Sequence, residues 1–325
     1  MNPAIKVLIV RFSSIGDIVL TTPVIRCIKQ QLGAEVHFLT KPGFAGLLTD
    51  NPYIDQLWTL EEDYTGLIRK IKEERFDYLI DLHKNLRTWW LAFQLGVKRL
   101  TYHKATIEKL LMVKFKINIL PKSHVSERYL DSVKSLGIKY DGQGLDYFIS
   151  EETVNKLDGV DSLYIAAVIG ATHFTKRLPE ENWITYINST DRLIVLVGGK
   201  AEAEAAEHIV ARSGPNVINM VGKTNLQESA LIIQNAERVI TNDTGMMHIA
   251  AALGKPIVSI WGGTLWEYGF WPFYPDGKNL NKSIEVKGLS CRPCSKFGRN
   301  DCPRKHFKCM KDLKLNSKMI TLYHD

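Results

Sequence analysis

The feature that most constrains the fold is an alternation of short apolar, β-rich segments with helical segments along the whole chain. In the first half, strands are predicted at residues 6–12, 36–40, 56–60, 78–82 and 99–102. Short strands separated by single helices are typical of parallel sheets that are covered on both faces. The sequence therefore predicts an α/β fold.

The same pattern starts again after a weakly structured stretch at 141–160. In the second half, strands are predicted at residues 163–169, 193–197, 216–219, 238–241 and 257–261. A last short helix is predicted at 315–323. A length of 325 residues suits two domains of ordinary size. We therefore predict domains at 1–155 and 156–325, with a ligand cleft at the carboxyl ends of their strands.

Charge and hydrophobicity limit the partners of the chain. Lys and Arg outnumber Asp and Glu by 42 to 35, a net charge of +7 that favours anionic ligands. Basic and apolar residues alternate over 98–124, which indicates either contact with an anionic membrane surface or a solvated helix face. No apolar run approaches the roughly 20 residues of a membrane span. The start of the chain lacks the pattern of a signal peptide, so we expect a cytoplasmic protein.

The first polar turn, Phe12-Ser13-Ser14-Ile15-Gly16-Asp17, follows the first predicted strand and opens a helix predicted at 18–32. Gly16 permits close approach of a ligand to the backbone. Asp17 either caps the helix or acts as a general base on an acceptor hydroxyl, and the turn alone favours the cap. The dinucleotide fingerprint G-x-G-x-x-G is absent, which weakens the case for a nicotinamide oxidoreductase.

A second polar turn lies between a strand and a helix of small residues in the second half. It reads Asn242-Asp243-Thr244-Gly245-Met246. The free N–H groups at the start of this helix form a diphosphate site that requires no metal. His248 lies about one helical turn farther along the same face, either against a phosphate or as a packed core imidazole.

Two more loops of the second half follow predicted strands. In the loop 170–179, Thr172, Thr175 and Lys176 are candidates to bind phosphate oxygens. The glycines of the turn 197–199 permit close approach of a nucleotide, and the acidic helix after them offers carboxylates for ribose hydroxyls. A plain tight turn before a solvated helix explains that second pattern equally well.

Four of the five cysteines, Cys291, Cys294, Cys302 and Cys309, lie within nineteen residues. Disulfides are rare in the cytosol, so the cluster indicates either a structural zinc site or reduced or redox-labile thiols. Only the first pair has the C-x2-C spacing, which is not that of a standard zinc ribbon. Both interpretations remain open at this point.

The two polar turns together resemble one protein family. Ser13-Ser14-Ile15-Gly16-Asp17, combined with the late segment from Thr241 to Ala251, is similar to glycosyltransferase family 9, the ADP-heptose:lipopolysaccharide heptosyltransferases. The loop from Asp81 to Arg87 resembles the acceptor-side loop of that family. The resemblance implies a GT-B fold, in which two Rossmann-like domains face an interdomain cleft. It also implies an inverting, metal-independent transfer of heptose from ADP-heptose to the lipopolysaccharide inner core.

Carried over residue by residue, the resemblance makes Asp17 the catalytic base, which reverses the preference for a cap. The donor-binding residues it implies, together with the loop analysis, are Thr172, Lys176, Lys223, Asp243, Thr244, Gly245 and His248. The acceptor-binding residues are Ser14, Gly16, Lys84 and Arg87. Lys223 falls where the family places the adenine, and Lys84 and Arg87 would meet carboxylates or phosphates of the acceptor.

The implied partners are an ADP-sugar donor and an anionic glycolipid acceptor, the lipid A and inner-core region. Peripheral contact with the inner membrane is expected as well, whereas a catalytic cofactor and nucleic acid are not. Two alternatives are a sugar-nucleotide epimerase of the same architecture, which needs no acceptor, and a non-catalytic nucleotide-binding protein. The joint presence of Asp17, Lys176 and Asp243 disfavours the non-catalytic alternative.

Overall fold

The computed structural model describes residues 5–160 and 162–316. The chain divides into two compact units, Met1–Lys104 with Ser123–Phe148, and Ala105–Lys122 with Ile149–Asp325. The segment Ala105–Lys122 therefore belongs by its contacts to the second unit. Most of the last helix predicted at 315–323 lies outside the described residues.

The first unit is built on a five-stranded sheet. Its strands are β1 (Lys6–Val10), β2 (Glu35–Thr40), β3 (Gln56–Thr59), β4 (Tyr78–Asp81) and β5 (Lys98–Thr101). Their order is β3-β2-β1-β4-β5, and every neighbouring pair is parallel. The middle strand β1 is a nearly continuous apolar run because both faces of a covered parallel sheet are buried. All five strands lie within two residues of their predicted positions.

Helices cover this sheet. They are α1 (Ile15–Val19), α2 (Thr22–Leu32), α3 (Tyr64–Glu73), α4 (Leu86–Leu95) and α6 (Val125–Asp131), with α5 (Thr106–Phe115) in the segment that groups with the second unit. The single helix predicted at 18–32 is wrong, because the chain turns at Leu20 and Thr21 and starts α2 anew. The proline at position 23 explains the restart, since its missing N–H is tolerated only in a first turn.

Arg26 fastens the last segment of the first unit to helix α2. Its side chain is 1% exposed, and Nε lies 2.7 Å from Oδ2 of Asp141. The same guanidinium pairs with Asp146 and donates to the carbonyl oxygen of Gly144. Two carboxylates therefore compensate a buried cation, and the removal of that cation would leave them unpaired.

The second unit contains a six-stranded sheet. Its strands are β6 (Tyr164–Val168), β7 (Leu193–Val197), β8 (Val217–Asn219), β9 (Arg238–Asn242), β10 (Ile257–Trp261) and β11 (Asn281–Glu285). Their order is β11-β10-β9-β6-β7-β8, and again all pairs are parallel. Strand β11 was not predicted. It lies at an edge, where its polar sequence NKSIE faces partly outward and shows no apolar pattern.

The helices of the second unit are α7 (Glu180–Asn188), α8 (Ala203–Ala211), α9 (Leu226–Asn235), α10 (Gly245–Ala252) and α11 (Lys308–Lys311). Phe307, Cys309 and Met310 pack into the core of this unit, so the Cys-rich segment is part of the fold. Within the described part of the chain, no helix has the length and apolarity to cross a membrane.

Candidate functional site

Each sheet has a point where the strand order reverses, and the proposed site residues follow the strands at that point. In the first unit the reversal lies between β1 and β4, and in the second between β6 and β9. Loops diverge there at the carboxyl ends of the strands and leave a crevice in which open α/β sheets bind ligands. The topology therefore places one candidate ligand site in each unit.

In the first unit, Arg11 organises the turn that carries Asp17. Nη2 of Arg11 lies 2.7 Å from Oδ1 of Asp17. The same guanidinium donates to the carbonyl oxygen of Ser13 at 2.8 Å and to that of Leu82, after β4, at 2.5 Å. Arg11 thus joins the loops that follow β1 and β4 and fixes the carboxylate between them.

The carboxylate of Asp17 also closes the first turn of α1. Its Oδ2 accepts hydrogen bonds from the hydroxyl of Ser14 at 2.9 Å and from the backbone N–H of Ser14 at 3.3 Å. Burial raises the pKa of Asp17, but the charge of Arg11 and the bonds from Ser14 outweigh it and lower the pKa. Asp17 is therefore ionised at neutral pH, and 22% of its side chain remains exposed to a ligand.

The loop after β4 is held by a fully buried carboxylate. Asp81 accepts from the backbone N–H of Lys84 at 2.7 Å, from the hydroxyl of Thr88 at 2.7 Å and from Arg99 at 2.6 Å. The ammonium of Lys84 donates to the carbonyl oxygen of Tyr102 at 3.0 Å. Arg87 is exposed in the first turn of α4. Asp81 thus fixes the backbone beneath both predicted acceptor contacts.

His83 lies between these two loops. Its ring centroid is 4.9 Å from that of Phe12. Burial, together with the charges of Arg11 and Lys104, lowers the pKa of His83 to about 4. The imidazole is therefore neutral at physiological pH and adds no charge beside Asp17.

In the second unit, Lys176 and Asp243 meet at the reversal point. Nζ of Lys176 lies 2.7 Å from Oδ2 of Asp243. The hydroxyl of Thr264, which follows β10, donates to the same oxygen at 2.7 Å. Both members of the ion pair are partly exposed, so the ammonium is accessible to a second anion. Three loops thus converge on one charged cluster.

Helix α10 begins beside this cluster. Thr244 is its extended N-cap residue, and the side chain of Thr244 makes no capping hydrogen bond to the first turn. Thr244 and Gly245 are half-buried, whereas His248 is buried in the first turn. Because helix starts favour anions, the N–H groups of this first turn and Lys176 together offer an anion site.

The remaining predicted donor residues lie outside this cluster of contacts. Thr172 is exposed on the loop after β6, and Lys223 is exposed and donates to the carbonyl oxygen of Asn219 at 2.9 Å. The carboxylate of Glu202, which follows β7, accepts a hydrogen bond from the backbone N–H of Gly199 at 3.1 Å. A Cβ atom at Gly170 would lie 3.0 Å from the Glu202 carboxyl group, so a larger residue there would require that side chain to shift.

The Cys-rich segment forms hydrogen bonds that hold the loop after β10 in place on the donor side. Arg292 donates to the carbonyl oxygens of Gly262 at 2.6 Å and Thr264 at 3.2 Å and pairs with Glu285 at 2.8 Å. A Cβ atom at Gly263 would lie 3.0 Å from the sulfur of Cys294. The segment therefore fixes the position of Thr264, and through it that of Asp243.

Sequence reasoning missed four residues that organise these sites. Arg11, Arg99 and Arg292 orient loops through buried charge-assisted hydrogen bonds, and Thr264 contacts Asp243. A cation directly after a buried strand is a usable signal for Arg11. The other three depend on contacts between distant parts of the chain, for which the local sequence gives no sign.

The fold and the two sites define a class, that of α/β proteins with two parallel sheets and an anion site at a helix start. The model of glycosyltransferase family 9 (heptosyltransferase) matches residues 64–303, and the chain belongs to this family. The predicted family, enzyme class and GT-B type of α/β fold are thereby confirmed.

Characterised relatives agree with this assignment. The chain is 27% identical over 283 residues to lipopolysaccharide heptosyltransferase 1 of Salmonella typhimurium, covering 80% of this chain and 89% of the relative. A family 9 glycosyltransferase structure from Veillonella parvula superposes with a TM-score of 0.71, at 21% identity and 86% coverage of both chains. The ADP-heptose lipopolysaccharide heptosyltransferase II of E. coli superposes with a TM-score of 0.69, at 20% identity, covering 89% and 95%.

Proposed function

We propose that this glycosyltransferase moves heptose from ADP-heptose to the inner core of lipopolysaccharide, with inversion at the anomeric carbon. The observation that carries the proposal is the cluster of Lys176, Asp243 and the start of α10, a site suited to a diphosphate. Membership of the heptosyltransferase family supports the choice of sugar.

On the donor side, Lys176 and the N–H groups of Thr244 and Gly245 bind the diphosphate. Asp243 holds the ammonium of Lys176 in place through their contact at 2.7 Å. Thr172 and His248 complete the phosphate surroundings, and Lys223 lies at the adenine. Negative charge grows on the leaving ADP as the glycosidic bond breaks, so these groups stabilise the transition state more than the ground state.

On the acceptor side, Asp17 is the general base. It takes the proton of an acceptor hydroxyl while that oxygen bonds to the anomeric carbon, and the bond from that carbon to the β-phosphate oxygen breaks. Ser14 and Gly16 shape the turn around the hydroxyl. Lys84 and Arg87 bind anionic groups of the inner core, which agrees with the exposure of Arg87.

The variant Asp17→Ala tests this assignment. We expect turnover to fall by about two to four orders of magnitude. ADP affinity, measured by calorimetry, should stay near that of the wild type, because the donor cluster belongs to the other unit. The control variant Asp158→Ala removes an exposed carboxylate and should leave both quantities unchanged. Wild-type turnover in Asp17→Ala would exclude Asp17 as the base.

We also propose a structural zinc ion in the Cys-rich segment. Four thiols and His306 offer suitable ligands, all five cysteines are free, and Sγ of Cys291 lies 3.8 Å from Nε2 of His306. Among the described residues, however, the only group of three potential ligands within 4.8 Å is Glu35, His37 and Glu74. There the ammonium of Lys6 already pairs with both glutamates.

Zinc binding would therefore require the Cys-rich segment to close further around the ion. Elemental analysis of protein purified without added metal tests the proposal. We expect about one zinc per chain, lost in Cys294→Ser, with a lower melting temperature. If the purified wild-type protein contains no zinc and Cys294→Ser has the same melting temperature as the wild type, the cysteines are reduced thiols and do not form a zinc site.

For location, we propose a cytoplasmic enzyme in peripheral contact with the inner membrane. The segment 98–124 supports this idea through exposed apolar side chains at Ile107, Phe115, Ile117 and Ile119. Exposed lysines at 114 and 122 accompany them, a combination suited to an anionic lipid surface.

A further inference from the structure

Helix α4 is apolar on two opposite sides, and only one of them is covered. Leu91 and Ala92 pack into the core of the first unit. The opposite side consists of Leu86, Trp89, Trp90 and Phe93, which are 85%, 53%, 46% and 64% exposed. A helix that is apolar all round is normally buried or placed in lipid.

The four exposed residues form one continuous surface, here called the α4 aromatic face. They occupy positions i, i+3, i+4 and i+7 of the helix, which lie on one side. The rings of Trp89 and Phe93 stack at 5.8 Å with an interplanar angle of 10°, and those of Trp90 and Phe93 at 5.7 Å. The surface is therefore assembled before any partner arrives.

The stretch of chain that carries this face has charges of a single sign. Between residues 82 and 104 there is no Asp or Glu, but there are five Lys or Arg residues. Arg87 and Lys98 are exposed at the two ends of the helix. Arg99 is neutralised by Asp81 and Lys84 is half-buried, so the free positive charge lies mainly at the helix ends.

We propose that the α4 aromatic face docks on the surface of an anionic lipid bilayer. Tryptophan prefers the depth where lipid headgroups meet acyl chains, and flanking cations favour anionic headgroups. A protein partner would more often pair such a face with opposite charges on its rim, whereas the cations here match a uniformly anionic surface.

The position of α4 links this docking to the binding of the acceptor. The helix begins directly after the loop that carries Lys84, and Arg87 lies in its first turn. When the aromatic face lies in the interface, these two residues lie at headgroup level. The proposal rests on the proposed function, in which the acceptor is a glycolipid with its sugars at that level.

Vesicle flotation of the full chain, without donor or acceptor, tests the docking. The vesicles contain phosphatidylethanolamine with phosphatidylglycerol, or phosphatidylcholine alone. We expect wild-type protein to float with the anionic vesicles and much less with the neutral ones. The double variant Trp89→Ser/Phe93→Ser should lower the partition coefficient about tenfold or more. The matched control Leu163→Ser/Phe297→Ser removes two equally exposed apolar side chains elsewhere and should change it less than twofold.

Two outcomes would overturn the proposal. One is flotation of the double variant like the wild type. The other is a wild-type dimer in sedimentation velocity that the double variant loses, without vesicle binding, which would make the face a contact between copies. Transfer to a deacylated, soluble acceptor is measured in parallel and should be unchanged in the double variant. Failure of the wild type in that assay would refute the proposed function instead.

Discussion

The charge of Arg11 should set the pH range in which Asp17 works as a base. Nη2 of Arg11 is 2.7 Å from the carboxylate. At an effective dielectric constant of about 20, two unit charges whose centres are about 4 Å apart interact by about 4 kcal/mol. A neighbouring guanidinium lowers the pKa of an aspartate by about 1–3 units. In Arg11→Gln this attraction is lost while burial continues to raise the pKa of Asp17.

The expected result is an acid limb of kcat/KM that moves upward by about 1–3 pH units in Arg11→Gln. Release of ADP is followed from about pH 4 to pH 8, and circular dichroism shows that the variant is folded. Arg11→Lys keeps a cation and should retain most of the wild-type profile. If the acid limbs of Arg11→Gln and wild type coincide, Asp17 is not the group whose ionisation limits the rate.

Three other outcomes follow from the described contacts. Arg26→Ala leaves two carboxylates without their cation and should lower the free energy of unfolding by about 3–5 kcal/mol in urea denaturation. Lys176→Met should weaken ADP binding about 10- to 100-fold by calorimetry, whereas Lys308→Met, at an exposed position, should not. Because the folded-state pKa of His83 is about 4 against an ordinary 6.5, the unfolded chain binds more protons between these values, and stability falls as pH falls through that window. His83→Gln should reduce this pH dependence by about 1–2 kcal/mol, allowing for the partial exposure of the ring. Equal pH slopes in thermal melts of variant and wild type would contradict that reasoning.

Much of the fold could be predicted because its strands are buried on both faces. Strands such as β1 and β7 are short apolar runs bounded by polar turns, and their ends were located closely. Strand β11 escaped prediction because an edge strand needs no such run. The break between α1 and α2 was not predicted, because the apolar pattern of the sequence continues through the turn that separates the two helices.

The candidate sites were predictable where a turn carries its own chemistry. Asp17 and Asp243 stand in polar turns that follow strands, and the strand order places each turn at a reversal point. The partners that orient them, Arg11 and Thr264, emerge only when the chain is folded. The exposure of the α4 aromatic face could not be predicted either, because a sequence does not show which side of an apolar helix is covered.

Acceptor-dependent transfer of heptose tests the proposed activity most directly. Purified protein is incubated with ADP-heptose and a heptose-deficient lipopolysaccharide acceptor, and the products are resolved by mass spectrometry. A heptosyltransferase should add one heptose to the acceptor for each ADP released and should alter no sugar nucleotide when the acceptor is omitted. A changed sugar nucleotide formed without acceptor, or bound ADP with no turnover at all, would contradict it.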